Sequence, residues 1–325
     1  MPITETQAAE IEATRAAPQP TLRAVSPGME QHLYTAHPVL DHGFVRVIDY
    51  MGDDAAIVQA ARVSYGAGTK KSRDDAGLIR YLMRHWHSTP FEMCEIKLHV
   101  KLPVFVARQW IRHRTANVNE YSARYSVLDR EFYIPQPDAL QAQSTVNNQG
   151  RGETLEGAEA ERVLEVLKGD AARAYDHYAW MLADGFGDGD GAYGASDGKG
   201  DGWGDGREPL KQGLARELAR MNLPANVYTQ WYWKVDLHNL FHFLRLRADS
   251  HAQYEIRVYA ETICKLVADW VPAAYSAFED YRVGGVQLSA KGVECVKRMI
   301  AGEDVTRENS GMSKGEWREF VGVLG

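Results

Sequence analysis

Hydrophobic and polar residues alternate without interruption over 95–102. Ile96, Leu98, Val100 and Leu102 fall on one face and Lys97, His99 and Lys101 on the other, the period-two signature of a half-buried strand. Two further segments read as strands: FVRVIDY after Gly43, and NVYTQWYWKVD over 226–236, which is aromatic and β-branched. Elsewhere the apolar spacing lengthens to that of helices. Asp53 or Asp54 caps a helix through Ile57, Ala60, Ala61 and Val63, and a second helix covers about 74–85. Pro103 breaks the alternating strand and suits the first turn of a short helix, VFVARQWIRH. An amphipathic helix over about 154–183 is carried by Leu155, Val163, Val166, Leu167, Ala171, Tyr175 and Tyr178. Helices follow over 208–220, over LHNLFHFLRLR with Asp236 as its cap, over about 252–270 before Pro272, and over 293–300.

Few strands, many helices and no βαβ alternation predict an α+β fold, an antiparallel or mixed sheet flanked by several helices in one catalytic domain. Residues 1–38, rich in Ala, Thr, Glu, Gln and Pro, read as a disordered leader. The foldable domain covers 39–282, and 283–325 form a C-terminal extension. Within the domain, 184–206 alternate glycine and aspartate so heavily that they read as a flexible insertion. They lack the DxDxDG pattern with a twelfth-position Glu that a calcium loop needs.

Composition narrows the function. With 325 residues, 45% of them hydrophobic, the chain can bury a large core, and a net charge of -7 argues against a general nucleic-acid partner. The three cysteines, Cys94, Cys264 and Cys295, form no CxxC pair, which disfavours a disulfide framework and fits a reducing, cytoplasmic setting. No apolar run approaches the roughly 20 residues that span a bilayer, so no membrane partner is expected.

Against that acidic background one loop stands out. RHRTANVNEYSARY, over 112–125, gathers Arg112, Arg114 and Arg124 with His113, Asn117, Asn119, Glu120 and Ser122. Arginine forks bind phosphate or carboxylate bidentately, and the interleaved amides and carboxylate can satisfy an amide-like ring edge. The ligand of such a loop is small and anionic. A second cluster, His85, His87, Thr89 and Glu92, reads as a packed turn more readily than as a metal site. On the later helix His238 and His242 share a face at i, i+4 spacing, but the HExxH arrangement is absent and nearby arginines would repel a cation, so no metal is assigned. Arg247, in LRADSH, emerges at that helix's end.

The loop and its flanks together resemble the flavin-dependent thymidylate synthases. The family signature, RHR followed by seven residues and Ser, is met by Arg112, His113, Arg114 and Ser122, and YLMRHWHSTPFE, FVARQWIRHR, NEYSARYS, EFYIP and LRLRADSHAQYEI follow the family's order over about 42–282. The resemblance implies methylation of dUMP at C5 to give dTMP, with 5,10-methylenetetrahydrofolate as carbon donor, FAD as hydride carrier and NADPH as reductant. It implies that dUMP is held by Gln109, Trp110, Ile111, Arg112, by Glu120, Tyr121, Ser122, Ala123 and Arg124, and by Arg220 and Arg247. It further implies that FAD meets Thr89, Arg112, His113, Arg114, Glu120, Asp236, Leu237, His238 and His242, with His87 near flavin and folate, in a homotetramer whose flavin sites lie between subunits. Asn117 stands where the family often has Ser, Ala123 where Gly is common, and Asp236 where Asn is common.

The residue chemistry agrees. Arg124 and Arg220 suit a dianionic phosphate, and Arg247 near uracil N3 and O4 would favour negative charge there, making Arg247 the catalytic residue and C5 nucleophilic without a cysteine adduct. Ser122 has no His-Asp partner in view and is assigned to positioning. The competing readings are a non-catalytic nucleotide-binding module, resting on the arginine loop alone, and a metal-dependent hydrolase using His85, His87, His238 and His242.

Overall fold

A computed structural model describes residues 5–17, 20–63, 74–145, 150–182 and 210–324, so the glycine-aspartate segment expected over 184–206 lies outside the described residues. Helices α1 (Glu5–Arg15) and α2 (Pro27–Glu30) precede a sheet opened by β1 (Ala36–Val39) and β2 (Gly43–Met51). The leader expected to be disordered is therefore ordered in part. Met29 of α2 is fully buried, and the Ser26 hydroxyl donates to the Trp270 carbonyl at 2.9 Å. Apolar residues too few to show a period can still be fixed by a distant surface that buries them.

Three helices follow: α3 (Asp54–Val63), α4 (Asp75–Arg84), whose cap Asp74 accepts from the Gly77 amide, and the single turn α5 (Thr89–Glu92). The alternating segment becomes β3 (Glu95–Pro103), with Ile96, Leu98, Val100 and Leu102 essentially inaccessible as predicted. It runs antiparallel to β2 on one side. The short helix predicted after Pro103 is α6 (Val104–Trp110). It leads to β4 (Asn117–Glu120), a strand the sequence reading took as loop. All four of its residues are exposed, and it pairs on one side only, so it has no apolar face to betray it. A small hairpin, β5 (Gln141–Gln143) and β6 (Arg151–Thr154), then precedes the long α7 (Gly157–Met181).

The helix predicted over 208–220 shrinks to α8 (Arg216–Ala219) and a 3-10 turn, Arg220–Asn222. Strand β7 (Tyr228–Asp236) pairs with β3 over its whole length and with β4 on its other edge, giving an antiparallel sheet of order β1-β2-β3-β7-β4. Asp236 caps α9 (Leu237–Arg247) by accepting from the Asn239 amide at 2.9 Å. Helix α10 (Tyr254–Trp270) packs across the sheet's apolar face. Its Tyr259 hydroxyl donates to the Lys101 carbonyl at 2.7 Å over Gly43, where a Cβ would sit 2.0 Å from that hydroxyl. Pro272 does not end the helical region but starts α11 (Pro272–Phe278). The N-terminus of α11 is capped from far away, the Asp54 carboxylate accepting from the Ala273 and Ala274 amides at 2.8 and 2.9 Å. The extension holds three helices where one was expected, α12 (Ala290–Ile300), α13 (Arg307–Ser310) and α14 (Lys314–Leu324), around a small core of Cys295, Met312 and Phe320.

Candidate active site

The arginine-rich loop starts where α6 unwinds. The His113 amide donates to the Trp110 carbonyl at 3.0 Å, and the chain then crosses to β4, where Glu120 lies opposite Trp231. A turn follows in which the amides of Tyr125 and Ser126 donate to the Ser122 carbonyl at 3.0 and 3.1 Å. The Ser122 hydroxyl accepts from the Arg124 amide at 3.3 Å, so this serine shapes the loop. Loop, β7 and the 3-10 turn enclose a cavity of about 780 Å³ lined by Glu120, Ser122, Arg124, Arg220 and Thr229, with Tyr121 and Ala123 in its wall. Thr229 donates to Glu120 at 2.9 Å. The Arg124 guanidinium lies 5.2 Å over the Tyr125 ring, and Arg220 donates to the Glu217 carbonyl at 3.3 Å. Among the described residues neither arginine meets a carboxylate.

A second group forms at the end of α9. Arg247 donates from Nε to His113 Nε2 at 3.0 Å. A guanidinium only donates, so Nε2 carries no proton and the neutral imidazole is protonated at Nδ1. Burial, the Arg247 charge and His242 together hold His113 down to about 4, and burial also lowers Arg247. The His242 ring lies 5.8 Å from that of His113. Arg247 also lines a cavity of about 1070 Å³ with Asp249, Glu261 and Arg282. The guanidiniums of Arg112 and Arg114 are exposed and have no intramolecular partner among the described residues, while the Arg112 amide donates to the Gln109 carbonyl at 3.3 Å.

His87 and Thr89 line a third cavity, of about 1100 Å³, beside Tyr81 and Trp86. Tyr81 stacks on His87 at 5.9 Å, and the Arg282 guanidinium sits 3.2 Å over Trp86, so the His85-His87 segment is an exposed turn held by ring contacts. The three cavities share no lining residue within one chain. Among the described residues no three His, Cys, Asp or Glu side chains could hold a metal ion.

Three expected ligand contacts meet a different environment. The Trp110 indole is sealed in the core, 4.6 Å from the Phe243 ring, and Leu237 is equally buried with its amide donating to the Cys94 carbonyl at 2.9 Å. Neither side chain can touch a ligand. Both Asp236 carboxylate oxygens turn inward to Asn239, whose amide oxygen accepts from Thr115 at 2.7 Å, so Asp236 anchors the loop as well as capping α9. Gln109 and Ile111 keep accessible surface, and His238 is half-buried. Burial and the neighbouring Asp53 and Asp54 push the Cys94 thiol up to about 12, so it is no thiolate at neutral pH.

Sequence reasoning missed a polar network beside Gln109, made of Tyr133, Arg151, Gln253 and Glu255. Glu255 is 2% exposed on the core face of α10. A carboxylate at a core-facing helical position was the available signal, because it demands partners.

The family model described as thymidylate synthase complementing protein matches residues 46–273. The chain is 71% identical over its whole length, and that of the relative, to the flavin-dependent thymidylate synthase of Ruegeria pomeroyi. It is 59% identical to that of Gluconobacter oxydans, covering 100% of this chain and 99% of the relative. A crystal structure of the UMP/dUMP methylase PolB from Streptomyces cacaoi, bound with 5-Br UMP, superposes with a TM-score of 0.61 at 29% identity, covering 75% of this chain and 97% of that one. No described helix is long and apolar enough to cross a membrane. With the arginine loop, the capped α9 and Arg247 in the family's order on this fold, the chain belongs to the flavin-dependent thymidylate synthases.

Proposed function

We propose that this chain converts dUMP to dTMP with 5,10-methylenetetrahydrofolate as carbon donor and NADPH as reductant. The observation that carries the substrate assignment is the cavity in which Arg124 and Arg220 present guanidinium forks that, among the described residues, form no ion pair with a carboxylate. Two such forks meet a dianionic phosphate with charge-assisted hydrogen bonds. Glu120, tied to Thr229, together with Tyr121, Ser122 and Ala123 forms the wall against which the nucleotide lies.

Arg247 takes the base. Fixed by its hydrogen bond to neutral His113, it donates to a uracil carbonyl and stabilises negative charge on the ring, which raises electron density at C5. No enzyme nucleophile is required in that scheme, consistent with a Cys94 thiol held protonated. FAD, when bound, carries hydride from NADPH to the one-carbon unit. The residues present fit its anionic pyrophosphate, because the guanidiniums of Arg112 and Arg114 are exposed and unpartnered among the described residues. Thr89, His113, Glu120, His238 and His242 complete the proposed flavin contacts, and His87 lies by the folate.

The separation of these residues into cavities without shared walls supports a homotetramer in which flavin sites form between subunits. Work on a cytoplasmic nucleotide pool fits the three free cysteines. The test is tritium release from C5-labelled dUMP with FAD-loaded protein, folate and NADPH, together with flavin bleaching under anaerobic NADPH. Release with bleaching is expected. Nucleotide binding without either would leave a binding module in place of an enzyme.

A further inference from the structure

The cavity that Arg247 lines is larger and more cationic than one pyrimidine ring requires. It holds about 1070 Å³, where whole small-molecule sites span roughly 300–1,000 Å³. Arg245, Lys265 and Arg282 join Arg247 in its wall, and among the described residues none of the four forms an ion pair. The lining carboxylates do not neutralise them. Asp249 is engaged by His251, whose ring nitrogen lies 2.9 Å away, and Glu261 by Arg257 at 3.4 Å, which leaves Glu279 as the one lining carboxylate without an ion pair among the described residues.

Arg282 is the fixed member of the group. It stands on a π-helical turn, Glu279–Val283, that follows α11, where its Nη2 donates to the Met83 carbonyl at 2.6 Å and its guanidinium lies 3.2 Å over the Trp86 ring. Trp86 itself holds a φ of 62°, a left-handed conformation that is costly for so bulky a side chain. π-turns and strained residues gather at functional sites, because packing there holds a side chain where local preference would not. Burial, and then the Arg245 charge, lower the Arg282 pKa. Like charges are thus held within each other's field, and a bound anion relieves that repulsion.

The proposed reaction brings three phosphate-bearing ligands to the protein, and the nucleotide and FAD each have a pair of guanidiniums already. The reductant has none. It must also reach the flavin, and this cavity borders the proposed flavin contacts: Arg247 in its wall bonds His113, whose ring lies 5.8 Å from that of His242. We propose that Arg245, Lys265 and Arg282 hold the phosphates of the reductant dinucleotide, with its nicotinamide turned toward Arg247 and His113. This rests on the functional reading above, in which a nicotinamide dinucleotide reduces the flavin. NADPH carries one phosphate more than NADH, so a cation group of this size favours NADPH.

The experiment uses the FAD-loaded full-length protein and its Arg245→Gln, Lys265→Gln double variant. Both side chains are exposed and have no intramolecular partner among the described residues, so the fold does not depend on them. Anaerobic rapid mixing with dUMP present reads the rate of flavin bleaching against NADPH concentration. Half-saturation should rise by ~10-fold or more in the double variant, the scale of two charge-assisted contacts partly screened by solvent, with the saturating rate changed by less than about twofold. Preference for NADPH over NADH should narrow by ~3-fold or more, because NADH has fewer phosphate contacts to lose. A merely structural role would lower flavin content or the saturating rate and leave half-saturation in place. Calorimetry with inorganic pyrophosphate separates the sources of an anion. Pyrophosphate binding that is lost in the double variant, with NADPH half-saturation unchanged within about twofold, would make this an anion site for another ligand and overturn the assignment to the reductant. If neither NADPH saturation nor pyrophosphate binding changes, the site itself is overturned. Wild-type flavin that neither NADPH nor NADH bleaches overturns the functional reading, and the proposal with it.

Discussion

The molecule holds two neighbourhoods in which arginine lies near glutamate, and they use charge in opposite ways. Around Glu255 the carboxylate is saturated within the chain: Arg151 Nη2 donates to both of its oxygens, and Tyr133 and Gln253 fill the remaining acceptor sites. In the cavity of Glu120, Arg124 and Arg220 the carboxylate is taken by Thr229 and, among the described residues, the guanidiniums are left without an acid. The difference lies in what completes the site. A saturated pair orders its own surroundings, whereas unpaired forks in a concave site are completed by an anion from outside. Arg247 stands between the two cases, with one N–H committed to a neutral histidine and the rest of its fork uncommitted among the described residues.

That intermediate position gives the largest expected effect. Arg247→Ala should lower dTMP formation by roughly 100-fold or more, the cost of removing one donor aimed at developing charge, while bound flavin stays largely intact. Full turnover in this variant would dissolve the distinction between Arg247 and an ordinary helix-end arginine. Arg124→Ala comes next. Losing a charge-assisted contact worth about 1.5–3 kcal/mol should raise the dUMP dissociation constant by ~10- to 150-fold, with thermal stability changed by less than about 0.5 kcal/mol. A large loss of stability would show that this fork is saturated internally after all.

Acid should test the His113 contact. Its folded pKa is about 4 against an ordinary 6.5, so between those values the unfolded chain binds a proton that the native state refuses. Stability falls as pH drops through that window and levels off below it. His113→Asn should flatten this slope relative to wild type in melting experiments at pH values spanning the interval. Equal slopes would mean that His113 is not held neutral by burial and the Arg247 charge. The smallest effect belongs to Asp236→Asn, since Asn and Asp cap helices almost equally and only the contact from Asn239 Nδ2 is lost; stability should move by no more than about 1 kcal/mol and flavin affinity should hold. A large loss of flavin would return Asp236 to the ligand.

Much of this architecture was readable from spacing. The alternation at Ile96, Leu98, Val100 and Leu102 survives intact because β3 is the central strand of the sheet and buries one whole face. Asp236 was found as a cap because capping is local. Strand β4 escaped because Asn117, Val118, Asn119 and Glu120 are all exposed, and its identity depends on β7 more than a hundred residues away. The Gln109–Gln253 contact escaped for the same reason. Motif reading marked Trp110 and Leu237 as ligand residues because they sit inside functional segments, yet one face of each segment belongs to the core. A motif gives a stretch of backbone; which side chains leave it toward the ligand is decided by packing.

The distant cap on α11 bears on how the chain is made. Asp54 reaches amides 219 and 220 residues later, and Ser26 bonds to Trp270 across a similar span. At ribosomal rates of 5–20 residues per second, roughly 10–45 s separate the synthesis of Asp54 from that of its partners. Through that interval the first strands exist without the helices that seal them. Native structure at the amino end must wait for the carboxyl end, so a ribosome that stalls before Ala274 leaves an exposed sheet.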